Sequence, residues 1–204
     1  MNEKQQEIIE KAAQIFLRHG IKAVTMSDLA RELGVSKKTI YAYFEDKDDL
    51  IKKIVENKID KNRESCVMMS QNADNAVNSQ VKIHEFSIEL LTGIHSSVFY
   101  DLQKYHQEAW QVIDKHRNEF VRKQLSENIQ RGQKEGVYLE HLNPDTIASI
   151  YLSILNGVMD LDIFNVSASQ YGELLEEIIY FQLRSVVNDK GRALLNENMK
   201  NKEK

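Results

Sequence analysis

Thr25, Ser27, Lys37, Lys38, Thr39, Tyr41, Tyr43 and Lys47 crowd one short stretch near the start of the chain. Hydroxyl donors and ammonium groups are the side-chain types that meet phosphate oxygens and base edges in nucleic acid. Lys37 and Lys38 suit guanine O6 and N7, and suit a phosphate equally well. Taken singly, the lysines also read as a solvated face and the tyrosines as cover for a core. Tyr41 and Tyr43 stand two apart, however, and residues at that spacing do not share a helix face. One of them is therefore expected to stand exposed beside the lysines.

The elements that must hold these side chains follow from the apolar spacing. Ile8, Ile9, Ala12, Ala13, Ile15, Phe16 and Leu17 make residues 4–19 an amphipathic helix, stopped by Gly20. Thr25 reads as the N-cap of a short helix over 26–33 that turns Leu29, Ala30 and Leu33 inward, with Asp28 near its positive end. Gly34-Val35-Ser36 is the turn, and Ser36 caps a second short helix over 37–44 whose Ile40 and Phe44 face inward. Asp46 caps a fourth helix running from Lys47 into the sixties. Two short helices around a tight turn, with donors on the outer face of the second, are the geometry of a helix laid in the DNA major groove.

The rest of the chain is read as helix throughout. Eight Gly and a single Pro are few for 204 residues, and turns and strands normally use more of both. A polar connection is expected over 70–79, then helices near 79–95, 97–106 and 107–134. Asn143-Pro144 marks a further helix start, and two long helices are expected over 144–164 and 168–188. After Asp189 the chain turns polar, and a frayed tail is expected. The net charge of −4 is unevenly spread. Residues 1–53 hold ten Lys/Arg against nine Asp/Glu, leaving seventeen against twenty-two beyond. Screening limits each charge to about 8–10 Å, so an acidic chain can still present lysines to phosphate on one face.

With these residues in view, the segment over about 5–52 resembles the N-terminal domain of the TetR family of bacterial transcriptional regulators. The likeness is carried by Ala13, Phe16, Gly20, Thr25, Leu29-Ala30, Leu33-Gly34-Val35-Ser36, Thr39, Ile40, Tyr41, Tyr43-Phe44, Lys47 and Leu50. It implies that Thr25 is a phosphate-binding cap, that Thr39, Tyr41 and Tyr43 contact phosphate and base edges, and that Lys47 clamps a phosphate. Ser27, Lys37 and Lys38 fall where family members choose their DNA sequence. The implied fold is all-α, with a three-helix reader over 1–50, an effector-binding and dimerisation domain over 51–190 and a polar tail over 191–204.

The resemblance further implies a homodimer on a palindromic double-stranded DNA operator and a small-molecule effector; no cofactor or metal is expected. Both late helices carry apolar stripes wider than a lone core-facing helix needs. Ile150, Ile154, Gly157 and Val158 on one, with Leu174, Ile178 and Phe181 on the other, are the expected dimer interface; packing within their own core is the alternative. Phe86, Leu90, Phe99, Tyr105, His106, Trp110 and Phe120 are candidates to line an effector pocket, or else ordinary core. His84, His95 and His106 recur every eleven residues, but on one helix each step rises about 16 Å, too far to share a metal ion.

An enzyme is the rival class. The chain has no glycine-rich phosphate loop, nucleophile elbow, His-Glu-x-x-His pair or paired cysteines. Its one cysteine, Cys66, sits beside Val67, Met68 and Met69 and is expected to be buried. A single cysteine fits a reducing compartment, the start Met1–Glu7 is too polar for a secretory signal, and no apolar run approaches the roughly 18 residues that span a bilayer. A cytoplasmic, ligand-responsive repressor is the expectation; a DNA-binding dimer without an effector is the alternative.

Overall fold

The computed structural model describes residues 2–94, 96–158 and 171–202, and every regular element among them is helical. They run α1 Glu3–His19, α2 Met26–Glu32, α3 Lys37–Tyr41, α4 Lys47–Gln71, α5 Ala76–Thr92, α6 Ser96–Tyr105 and α7 Gln107–Lys115. A π-helical turn, His116–Val121, leads into α8 Arg122–Lys134, followed by α9 Pro144–Val158, α10 Tyr171–Val186 and α11 Asp189–Lys202. The chain divides into two compact units, Met1–Asn62 with Gly93–His116, and Arg63–Thr92 with Arg117–Lys204. The expected boundary after residue 50 is thus displaced. A segment from the middle of the chain joins the first unit, because Val98, Leu102 and Ala109 are buried in that unit's core.

In the first unit α1 buries Ile8, Ile9, Ala12, Ala13 and Phe16, and ends where Gly20 takes φ +80°. Leu29, Ile40 and Leu50 are fully buried, one from each of α2, α3 and α4. Each contributes about 1.5–3 kcal/mol to holding its helix in place. The second unit gathers Val77, Val81, Ile129, Tyr138, Leu183 and Leu195. Gly132 is required there: a Cβ at that position would stand 2.2 Å from the Tyr138 ring. The Tyr138 hydroxyl lies 3.0 Å from Asn128 Oδ1 and 3.2 Å from the Ala76 carbonyl, so the buried ring leaves no idle donor.

Several expectations are corrected. The connection expected over 70–79 shrinks to 72–75, because α4 continues to Gln71 and Asn75 Oδ1 accepts from Asn78 N, starting α5 early. The helix expected over 107–134 is broken by the π-helical turn. The second short helix, expected over 37–44, stops at Tyr41, and Phe44 reaches the core from the turn that follows. Residues 189–202 are helical rather than frayed: Leu195 is fully buried, and Asn198 Nδ2 donates to Asn78 Oδ1 at 2.9 Å. The ends expected at 164 and 168 lie outside the described residues, as do His95 and the side chain of Val158. Cys66 is half-buried, while Val67 and Met68 are exposed. Burial pushes the Cys66 thiol up, away from the reactive thiolate. Among the described residues no helix is long and apolar enough to cross a membrane.

Candidate nucleic-acid interface

Three short-range caps build the reader. Thr25 Oγ1 accepts from Asp28 N at 3.2 Å and donates to Asp28 Oδ2 at 2.6 Å, while Thr25 N also donates to that carboxylate at 3.0 Å. The hydrogen bond from the Thr25 hydroxyl, with that from its backbone, holds the Asp28 carboxyl below its usual range. Ser36 Oγ accepts from Thr39 N at 3.0 Å and lies 2.8 Å from Thr39 Oγ1. Gly34, at φ +65°, makes the turn between α2 and α3. Asp46 Oδ1 accepts from Asp49 N at 2.8 Å and opens α4. Each cap is worth about 1 kcal/mol, and together they set the register of α3.

The consequence for the outer face is direct. Ile40 points into the core, and Lys37, Lys38 and Tyr41 point away from it; Tyr41 is 47% exposed. Ser27 is exposed on α2, and Thr39 is half-buried. Tyr43 stands beyond the end of α3, half-buried against the core, with its ring 6.5 Å from that of Phe44. The exposed tyrosine is therefore Tyr41. Thr25 differs from a free donor, since its hydroxyl proton already serves Asp28. Lys47 differs too: Nζ donates to the Ile21 carbonyl at 2.7 Å and lies 5.7 Å from the centre of the Phe16 ring. Burial lowers the Lys47 pKa, and the charges of Asp48 and Asp101 act the other way. One of the three ammonium donors is thus committed to the fold.

The expected effector residues are divided between the two units. Phe99, Tyr105, His106 and Trp110 belong to the first unit, and Phe86, Leu90 and Phe120 to the second. His106 Nδ1 lies 2.6 Å from Asp48 Oδ1, in the first turn of α4, and Trp110 packs against the reader's core. A cavity of about 70 Å³ does lie in the second unit, between α5, α8, α9 and α10, and none of the seven lines it. The polar side chains of its wall include Gln80, His84, Tyr151 and Gln182. Their only sequence signal was polar residues set among apolar ones, Gln80 and His84 four apart between Val77, Val81 and Ile83.

The late helices each carry a second face. On α9, Tyr151 and Leu152 are buried while Ile150 is 51% exposed; on α10, Leu175 and Ile179 are buried while Phe181 is 68% exposed. Ile154, Leu174 and Ile178 are half-buried, and a Cβ on Gly157 would meet nothing within 4 Å.

Residues 8–54, which frame the reader, match the family model of bacterial regulatory proteins, tetR family. The chain belongs to the TetR family. YvaF, an HTH-type transcriptional regulator of Bacillus subtilis, is 29% identical over 170 residues, covering 81% of this chain and 86% of its own. A TetR transcription regulator from Haloarcula marismortui superposes with a TM-score of 0.75 at 16% identity, over 92% of this chain and all of that one (100%). A transcriptional regulator from Saccharomonospora viridis, solved in complex with choline, superposes with a TM-score of 0.73 at 20% identity, over the same shares, 92% and 100%. At such identities the solved structures establish the TetR-family fold, an N-terminal helix-turn-helix domain followed by a helical C-terminal domain. This protein is a transcriptional regulator of that family.

Proposed function

We propose that this TetR-family regulator is a homodimeric repressor that binds a palindromic operator through α3 and releases it when a small molecule occupies the C-terminal part. The observation that carries the DNA reading is the split of α3, with Ile40 fully buried on one side and Lys37, Lys38 and Tyr41 exposed on the other. In this reading Ser27, Lys37 and Lys38 choose the sequence. Thr39, Tyr41, Tyr43 and Lys47 position the protein on the backbone, and Thr25 acts through the α2 cap. The dimer reading rests on Ile150, Ile154 and Gly157 and on Leu174, Ile178 and Phe181, each a set at i, i+4, i+7 spacing along one helix. Removing such exposed apolar faces from water is the usual drive for association.

The release step is drawn through α4, whose residues 47–62 belong to the first unit and 63–71 to the second. A ligand that favours one placement of α4 by about 5.5 kcal/mol shifts the population from 1:99 to 99:1. Fluorescence anisotropy on DNA from upstream of the protein's own gene tests the reader. Lys37→Ala and Tyr41→Ala should each weaken binding by about 1–3 kcal/mol with an unchanged melting temperature. Wild-type affinity in both variants would remove α3 from the interface.

A further inference from the structure

The cavity in the second unit has a wall of aliphatic side chains, amides, hydroxyls and one imidazole; among the described residues no carboxylate, ammonium or guanidinium lines it. Two of its polar side chains are more than nine-tenths buried and carry atoms that have no partner among the described residues. His84 is 4% exposed, and its Nδ1 has no hydrogen-bond partner among the described residues. Gln182 is 8% exposed, and neither its Oε1 nor its Nε2 has one. Buried polar atoms are nearly always paired in folded proteins, so three orphans around one cavity call for a reason.

The tautomer of His84 follows from its other nitrogen. Gln80 Nε2, which can only donate, lies 2.7 Å from His84 Nε2, and the Tyr151 hydroxyl lies 2.8 Å from the same atom. With the Gln80 amide so oriented, Nε2 is the acceptor and the ring proton sits on Nδ1. Tyr151 also stacks on the imidazole, ring centres 5.4 Å apart and planes 7° from parallel. The ring is therefore held on one edge and one face, and its remaining N–H has no acceptor among the described residues. Gln182 adds one donor and one acceptor.

We propose that this cavity binds a small uncharged molecule bearing a carbonyl beside an N–H or O–H group, as in a primary amide. Its carbonyl oxygen accepts from His84 Nδ1–H, and its paired donor and acceptor meet the Gln182 amide. A carboxylate or an ammonium ion would be buried there without a counter-charge, so the class is neutral. The volume of about 70 Å³ is under half that of an apolar cavity of about 150 Å³ that holds benzene; a few heavy atoms fill it. The proposal deepens the effector reading above by naming the ligand class, and rests on that reading only for the regulatory consequence.

Acetamide and acetate, alike in shape and different in charge, are the probes. With the full chain labelled with ¹⁵N-histidine, the His84 Nδ1–H signal is assigned by its loss in His84→Asn. Millimolar acetamide should shift that signal and raise the melting temperature; acetate should bind at least about tenfold more weakly. Gln182→Met, which keeps the side-chain length and removes both orphan atoms, should fold at least as stably as wild type and lose the response. An unmoved Nδ1–H signal overturns the proposal, and is the result if water or a second copy of the chain already occupies the wall. Equal binding of acetate, or undiminished acetamide binding in Gln182→Met, overturns it as well. Operator DNA in the same samples separates the two readings. Acetamide bound with DNA affinity unchanged keeps the site and removes the effector role, whereas no acetamide binding removes the site whatever the DNA does.

Discussion

Replacing Lys47 by methionine removes an ammonium with two tasks and leaves most of its stem in place. The bond from Nζ to the Ile21 carbonyl, at 2.7 Å, is charge-assisted, and such bonds contribute about 1.5–3 kcal/mol. Lys47 is only half-buried, which puts the lower figure in force. The contact with the Phe16 ring at 5.7 Å adds about 0.5 kcal/mol. The loss of about 2 kcal/mol should lower the melting temperature by about 4–8 °C for a chain of this length. Two donors of the ammonium remain free for a phosphate. At a temperature where both proteins are folded, the slope of log affinity against log salt should therefore fall by about 0.9 per protomer. Thermal unfolding and salt-titrated anisotropy check the two parts separately. An unchanged melting temperature would show that Lys47 does not hold Ile21 in solution. A lower melting temperature with an unchanged salt slope would reduce Lys47 to a structural residue and refute its assignment as a clamp.

Phe181→Glu places a charge on the exposed face of α10 and should give monomers, by sedimentation, at concentrations where wild type is dimeric; a persistent dimer would move the interface elsewhere. Burial depresses the pKa of His84 from 6.5 to about 3, so the folded chain refuses a proton that the unfolded chain accepts below pH 6.5. The stability this confers is whole above pH 6.5 and is lost as the pH falls toward 3. Denaturation at pH 7 and pH 5 should show wild type losing about 2 kcal/mol more than His84→Asn, and equal losses would contradict the buried neutral ring.

The reader was legible because its determinants are local. Thr25, Asp28, Ser36 and Asp46 act within four residues of themselves, and Ile40 and Phe44 declare the inner face by spacing alone. What spacing did not reveal is where long-range packing spends a side chain. Lys47 looks free in sequence and is half committed to Ile21, across the first unit. His106 and Trp110 look like pocket residues and instead join the reader, His106 against Asp48. The meaning of His84 lies in Gln80, Tyr151 and Gln182, two of them distant in sequence. The last helix was missed for the same reason: its few apolar residues, Leu194, Leu195 and Met199, find their partners only in the folded second unit.

Hydroxyl-radical footprinting of the DNA upstream of this gene tests the central claim most directly. A dimer that lays α3 of each protomer in successive major grooves should protect two patches on one face of the duplex, centred about 34–36 Å apart. Both patches should fade together in Tyr41→Ala. A single patch, unpaired protection, or a footprint indifferent to Tyr41 would contradict the account.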